Sequence, residues 1–309
     1  VTTNVERVIA FLRQYPGSTD TDIREGTRIQ PHQQVNQIAN RLAASGVARR
    51  IKESDGKYHN YLAATGTVSA VAPLKTESKV AAPLGRSSGA WPTFPQRDQE
   101  TFVLIECSGQ KRRGGEPRIA GPQLHEEIDP DVARELLHRR RLIADEADLD
   151  ERLVMSAARR YSGPFYDKAA AAIEHLVEQD VRVLVLSGAY GMILAQEAIG
   201  WYDRKFRIAD WSKGLLDRVM RAYVQRYGLT KAVAFLPVTS DYAKAARGVQ
   251  WHAHGVGSAL LVSPVVGGGS GAQRKSPLVC GEALAAWSQG ELRPGWLGED
   301  RTPLTVAEM

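Results

Sequence analysis

Hydrophobic and polar positions follow two regimes along the chain. In the first sixty residues the apolar positions recur at helical spacing. Val5, Val8, Ile9 and Leu12 share one face of a helix that Tyr15-Pro16-Gly17 ends. Ser18-Thr19-Asp20 can cap a short second helix through Ile23 and Arg24. Gln30-Pro31 opens a third helix, whose stripe is Val35, Ile38, Ala39 and Leu42 and which Gly46 terminates. Two short strands are expected over 47–51 and 58–63, joined by a hairpin signal at Asp55-Gly56. Beyond residue 100 the apolar residues come as unbroken runs, at 101–106 (TFVLIE), 183–186 (VLVL), 232–236 and 259–262. Such runs read as strands buried on both faces. Helical patterns over 131–160, 169–179 and 214–227 separate them, so the second half is expected to be an α/β sheet. Residues 65–97 are rich in Ala, Pro, Ser, Gly and Thr without a period and read as a disordered linker. The expected organisation is a domain over 1–64, a linker over 65–98 and an α/β domain over 99–309.

Composition narrows the class. Of 309 residues, 43% are hydrophobic and 24% charged, as in globular domains. No apolar run approaches the ~20 residues of a membrane span, and no secretory signal pattern opens the sequence. Cys107 and Cys280 are too few and too far apart for a disulfide framework, so a cytoplasmic protein is expected. A formal charge of +5 leans toward a polyanionic partner.

The candidate chemistry lies in three places. The third helix carries Gln33, Gln34, Asn36, Gln37 and Arg41, side chains that can reach base edges in a major groove. The hairpin adds Arg50, Lys52 and Lys57 for phosphate contacts, and residues 1–65 hold nine basic against six acidic side chains. In the second half, the 101–106 run ends in Cys107-Ser108-Gly109-Gln110-Lys111, and the 183–186 run ends in Ser187-Gly188, followed by Tyr190, Gly191, Glu197, Tyr202 and Asp203. Polar and aromatic groups at strand ends mark where α/β sheets bind ligands. A further polar turn, 237–242, contains Asp241, and Arg274-Lys275 in a glycine-rich neighbourhood could touch DNA. His252-x-His254 has no companion ligand at a familiar spacing, so neither metal nor cofactor is expected.

Three helices followed by a basic hairpin resemble a winged helix-turn-helix over about the first 63 residues. The second half resembles the YaaA (peroxide-stress) family and its relatives, among them a domain of archaeosine synthase, over roughly residues 100–250. The resemblance rests on Cys107-Ser108-x-x-Lys111, on the Tyr/Ser-rich turn at 161–166, and on Leu186-Ser187-Gly188-x-Tyr190-Gly191 with Glu197-x-Ile199 and Tyr202-Asp203. It implies an α/β fold that handles nucleic acids or modified nucleobases. The chain departs from the archaeosine branch, because no Pro-Tyr follows Lys111 and a long charged insertion separates it from Tyr161.

The leading expectation is therefore a protein that binds double-stranded DNA and removes a modified or damaged base, in repair or phage defence. Tyr166, Tyr190 and Tyr202 would wall a pocket for an extruded base. Cleaving an N-glycosidic bond builds positive charge on the sugar, which a carboxylate can stabilise. Asp203 and Glu197 are the first candidates, Asp241 lies on the substrate side, and Lys111 would bind phosphate or act as an amine nucleophile. Cys107, Ser108, Ser187 and Gly191 would contact the substrate. The rival expectation is a non-catalytic DNA-binding regulator or stress protein.

Overall fold

Residues 4–29, 32–53, 57–63, 91–119, 121–211, 214–267 and 271–309 are described by a computed structural model; the side chains of residues 32–34, 37, 41, 44 and 272 fall outside that description. The chain divides into two units, Val1–Arg86 and Ser87–Met309.

The first unit runs α1 (Asn4–Gln14), β1 (Ser18–Thr19), α2 (Asp20–Thr27), α3 (His32–Ala44), β2 (Ala48–Lys52) and β3 (Tyr58–Leu62). Its helical stripes converge on one core, in which Val8, Leu12, Ile23, Ile29, Val35, Ile38 and Leu42 are buried. Thr19 caps α2 in a reciprocal box with Asp22, satisfying backbone N–H groups at the helix start. Arg28, in the left-handed region, stops α2. The strands form an antiparallel sheet in the order β1-β3-β2. The two-residue β1 was not anticipated, because Ser18-Thr19 carries no strand pattern and is recruited by pairing with Asn60 and His59.

The second unit is mixed α/β. Its elements are β4 (Thr101–Glu106), β5 (Gln110–Lys111), α4 (Pro130–Ala144), β6 (Asp150–Ser156), α5 (Ala157–Arg160), β7 (Tyr161–Ser162), α6 (Pro164–Glu178), β8 (Arg182–Ser187), β9 (Gly191–Leu194), β10 (Ala198–Trp201), α7 (Leu215–Tyr227), β11 (Lys231–Phe235), α8 (Asp241–Arg247), β12 (Ser258–Pro264), α9 (Ala272–Gln289) and β13 (Leu304–Glu308). The main sheet has the order β13-β12-β11-β4-β8-β9. The four apolar runs form its parallel centre, and β13 and β9 close the two edges antiparallel. From β4 the chain crosses to β8 on one side, then returns past β4 to β11 on the other. Right-handed crossovers in opposite directions put their helices on opposite faces. Accordingly α6 packs with α9, and α4 with α7.

Three expectations need correction here. The 131–160 stretch is not one helix: the left-handed Asp148 ends the helical run, and β6 pairs antiparallel with β10. Tyr166 lies inside α6, which begins at Pro164 rather than 169. The expected linker ends early, since Trp91 and Phe94 pack against the core of the second unit and Arg97 donates to the Trp287 carbonyl. Most of the expected linker, 65–90, lies outside the described residues, as do 268–270 of the glycine-rich stretch.

Candidate functional site

The crossovers diverge between β4 and β11, and a crevice at such a reversal, outside the carboxyl ends of the strands, is where open α/β sheets bind ligands. A cavity of about 590 Å³ lies there. Glu106, Cys107 and Ser108 line it from the end of β4, Pro164 and Phe165 from α6, Tyr242 from α8, and Gln273, Arg274 and Pro277 from α9. The segment 204–206 completes the rim. Phe206 stacks on Tyr242, with ring centroids 4.8 Å apart and planes 15° from parallel. The rim segment can reach the strand end because residue 188 is glycine: a Cβ there would sit 2.3 Å from the Arg204 carbonyl oxygen. A second cavity, about 530 Å³, lies at the opposite strand ends beside Arg182. The Arg182 guanidinium is engaged by Tyr223 and Tyr227.

Glu106 is the residue that the sequence reading missed. It ends an apolar strand, is 5% exposed, and opens onto the cavity. No described residue hydrogen-bonds to or pairs with its carboxyl. Burial pushes that carboxyl up to about 8, so it is a neutral acid at pH 7. The available signal was a carboxylate closing the TFVLIE run directly before the flagged Cys107. Cys107 Sγ lies 3.2 Å from Tyr242 Oη, and burial raises the Tyr242 phenol. Cys107 and Ser108 thus stand at the cavity.

Lys111 sits beside this cavity rather than in its lining. Its Nζ donates to the Ser108 carbonyl at 2.9 Å and lies 4.0 Å from the Tyr202 ring centroid and 5.9 Å from that of Tyr161. Burial lowers the Lys111 ammonium, while Cys107 and Asp203 pull the other way. Asp203 is solvent-facing, and its backbone N–H donates to the Ala147 carbonyl. Lys111 and Asp203 are therefore brought together at the strand ends.

Most other expected site residues are structural. Tyr161, Ser187 and Tyr202 close a buried hydroxyl triangle with sides of 2.9–3.1 Å. Ser187 also accepts from the Tyr190 backbone N–H, and Tyr190 Oη is spent on Glu151 and Gly200. Tyr166 donates to the Glu106 carbonyl. These tyrosines are walls behind the site and offer no face to an extruded base. Gly191 takes φ +76°, and a Cβ would meet the Trp211 ring at 2.7 Å. Asp241 pairs with Lys244 and accepts from the Ile208 N–H. Both correct the expectation of substrate contacts.

Glu197 is the largest correction. It is 1% exposed and paired with Arg140 at 3.0 Å. Its other oxygen accepts from the Leu124 and Leu194 N–H groups. Arg140 in turn donates to the Tyr190 and Met192 carbonyls. With both oxygens engaged and no access to the cavity, this carboxylate cannot meet a sugar or a water.

In the first unit, Asp20 gathers the polar groups between the helices and the sheet. It accepts from Arg50 at 2.8 Å, Asn36 at 2.7 Å and Asn60 at 3.0 Å. Arg50, whose side chain is 8% exposed, also donates to Asn40. Asn36 and Arg50 are thus spent inside the unit, against the expectation that they face DNA. Arg49, Lys52 and Lys57 are exposed on the hairpin. The side chains of Gln33, Gln34, Gln37 and Arg41 lie outside the described residues. Asp20→Ala strands a buried guanidinium and two amides, so it is expected to cost the first unit about 2–4 kcal/mol. Circular dichroism of the isolated first 63 residues and of the whole chain would check this; unchanged melting of the first unit would refute it.

Comparisons with family models, with curated proteins and with solved structures found no match for this chain.

Proposed function

We propose that the protein binds duplex DNA and excises a modified or damaged nucleobase by cleaving its N-glycosidic bond. The observation that carries this reading is Glu106: a neutral acid, without an internal partner, opening into a nucleotide-sized cavity at the sheet's reversal point. The rest of the lining suits the same ligand. Phe206 and Tyr242 supply an aromatic wall, while Lys205 and Arg274 supply positive charge for phosphate. Lys111 and Asp203 stand next to the cavity, where a carboxylate can stabilise a cationic sugar and orient water.

The first unit supports a DNA partner through its helix order, its antiparallel three-stranded sheet and the exposed basic residues of the β2–β3 hairpin. On these features the first unit is read as a winged helix-turn-helix. The second unit is read as YaaA-like on its strand-end motifs. Repair and defence against phage DNA with modified bases are the two settings that such an activity serves.

The test is incubation of the whole protein with duplexes carrying damaged or phage-type modified bases, followed by alkali to break abasic sites. Strand breaks are expected with the parent protein. They should fall by roughly 100- to 10,000-fold in Glu106→Gln, the usual span for losing a general acid. Tight binding of every duplex without an abasic product would replace this reading with a non-catalytic DNA-binding regulator. Breaks that require added magnesium would replace it with a nuclease.

A further inference from the structure

We infer that the cavity is built for a base that leaves as a neutral group after protonation, and not for an alkylated base that already carries positive charge. This rests on the base-removal reading and names the substrate class of that same site.

The argument is one of charge and geometry. Glycosidic bonds break in two ways. A cationic alkylated base, such as N7-methylguanine, departs without help and is best held by ionised carboxylates and electron-rich rings. A neutral base departs as an anion unless an acid gives it a proton, and so needs a donor at its ring edge. Among the described residues the single carboxyl in the depth of the cavity is Glu106, and no cation or hydrogen-bond donor among them engages it. It is surrounded by Tyr166 of α6, Tyr242 of α8, Cys280 of α9 and its own neighbour Cys107. None of these groups is a cation. The positive charges Arg204, Lys205 and Arg274 stand at the lining from the rim segment and α9. Arg204 is itself paired with Glu146 and Asp210. The other acid in the described lining, Asp167, is exposed. A cationic base entering this cavity would find the Phe206 and Tyr242 rings but would also meet a protonated acid and a basic rim, both unfavourable to it. A neutral base with a bare ring nitrogen or carbonyl oxygen would meet a donor.

The step balances as a hydrolysis. The Glu106 carboxyl gives its proton to the ring acceptor as the C1′–N bond breaks, and the bonding pair stays with the base. Water forms the new C1′–O bond and releases its proton to solvent, and solvent reprotonates Glu106, leaving free base and an abasic sugar.

The experiment compares base release from duplexes containing hypoxanthine, 8-oxoguanine, uracil or 5-hydroxymethylcytosine with release from a duplex containing N7-methylguanine. The parent protein and the Glu106→Gln and Glu106→Asp variants are assayed from pH 6 to 10. The expected result is release of at least one neutral base, an alkaline fall in rate centred near the Glu106 titration, loss of that limb and of ~100-fold or more in rate in Glu106→Gln, and partial recovery in Glu106→Asp. Preferential release of N7-methylguanine, or neutral-base release indifferent to Glu106→Gln, would overturn the inference while leaving base removal standing. Release of no base at all would overturn both. Folding of each variant is read separately from tryptophan fluorescence, so a misfolded protein is not counted as an inactive one.

Discussion

Glu197→Ala is expected to destabilise the second unit by about 3–5 kcal/mol, the range for stripping one partner from a buried ion pair. The reason is the company left behind. Arg140 would keep its carbonyl contacts to Tyr190 and Met192 but lose its one counter-charge among the described residues, and two backbone N–H groups would lose their acceptor. All six tryptophans fall within the second unit, so their fluorescence in urea reports it alone. The paired replacement Arg140→Met with Glu197→Leu should recover much of the loss, because it removes both charges together. A Glu197→Ala protein of unchanged stability but abolished base release would return this residue to the chemistry.

The opposite sign is expected at Glu106. Glu106→Gln should be more stable than the parent above neutrality, by on the order of 2–4 kcal/mol near pH 8.5. The folded carboxyl titrates near 8 and the unfolded one near its ordinary 4.5. Between those values unfolding releases a proton, so the parent loses stability as pH rises from about 4.5 to about 8, and levels off above. Glutamine does not titrate, and the gap between the two proteins should therefore close toward pH 4.5. Urea unfolding at pH 5 and pH 8.5 checks both the sign and the window. A pH-independent gap, or a less stable variant, would mean that Glu106 has an internal partner. A residue that costs stability where it stands, and gains nothing from its surroundings, fits a functional role better than a structural one.

The legible part of this chain was its periodicity. Val5, Val8, Ile9 and Leu12 announce α1, and the four apolar runs announce the parallel strands, because burial imposes those patterns directly. What escaped depended on partners distant in sequence. β6 hides in a charged stretch, since its strand character comes from pairing with β10. Arg50 looks like any hairpin cation until Asp20 is found beside it. Glu197, in the turn between β9 and β10, and Glu106, at the end of β4, are the same residue type. One faces Arg140 and the other faces a cavity, and no local pattern separates them. The flagged strand ends at Cys107 and Ser187 did converge. The cavity, however, is walled by α6, α8 and α9 at the end of β4, where the change of crossover direction opens the sheet.

One further side chain bears on how this site can move. Arg160 is fully buried, and its guanidinium is clasped by the carbonyls of Arg112, Gly114, Leu153 and Ile199. The strand carrying Lys111, the β6–β10 pair and the turn into Tyr161 are thereby riveted at a single planar cation. A lysine could not span four acceptors so arranged. That corner should behave as one block in hydrogen exchange, its amides opening only when the whole unit unfolds.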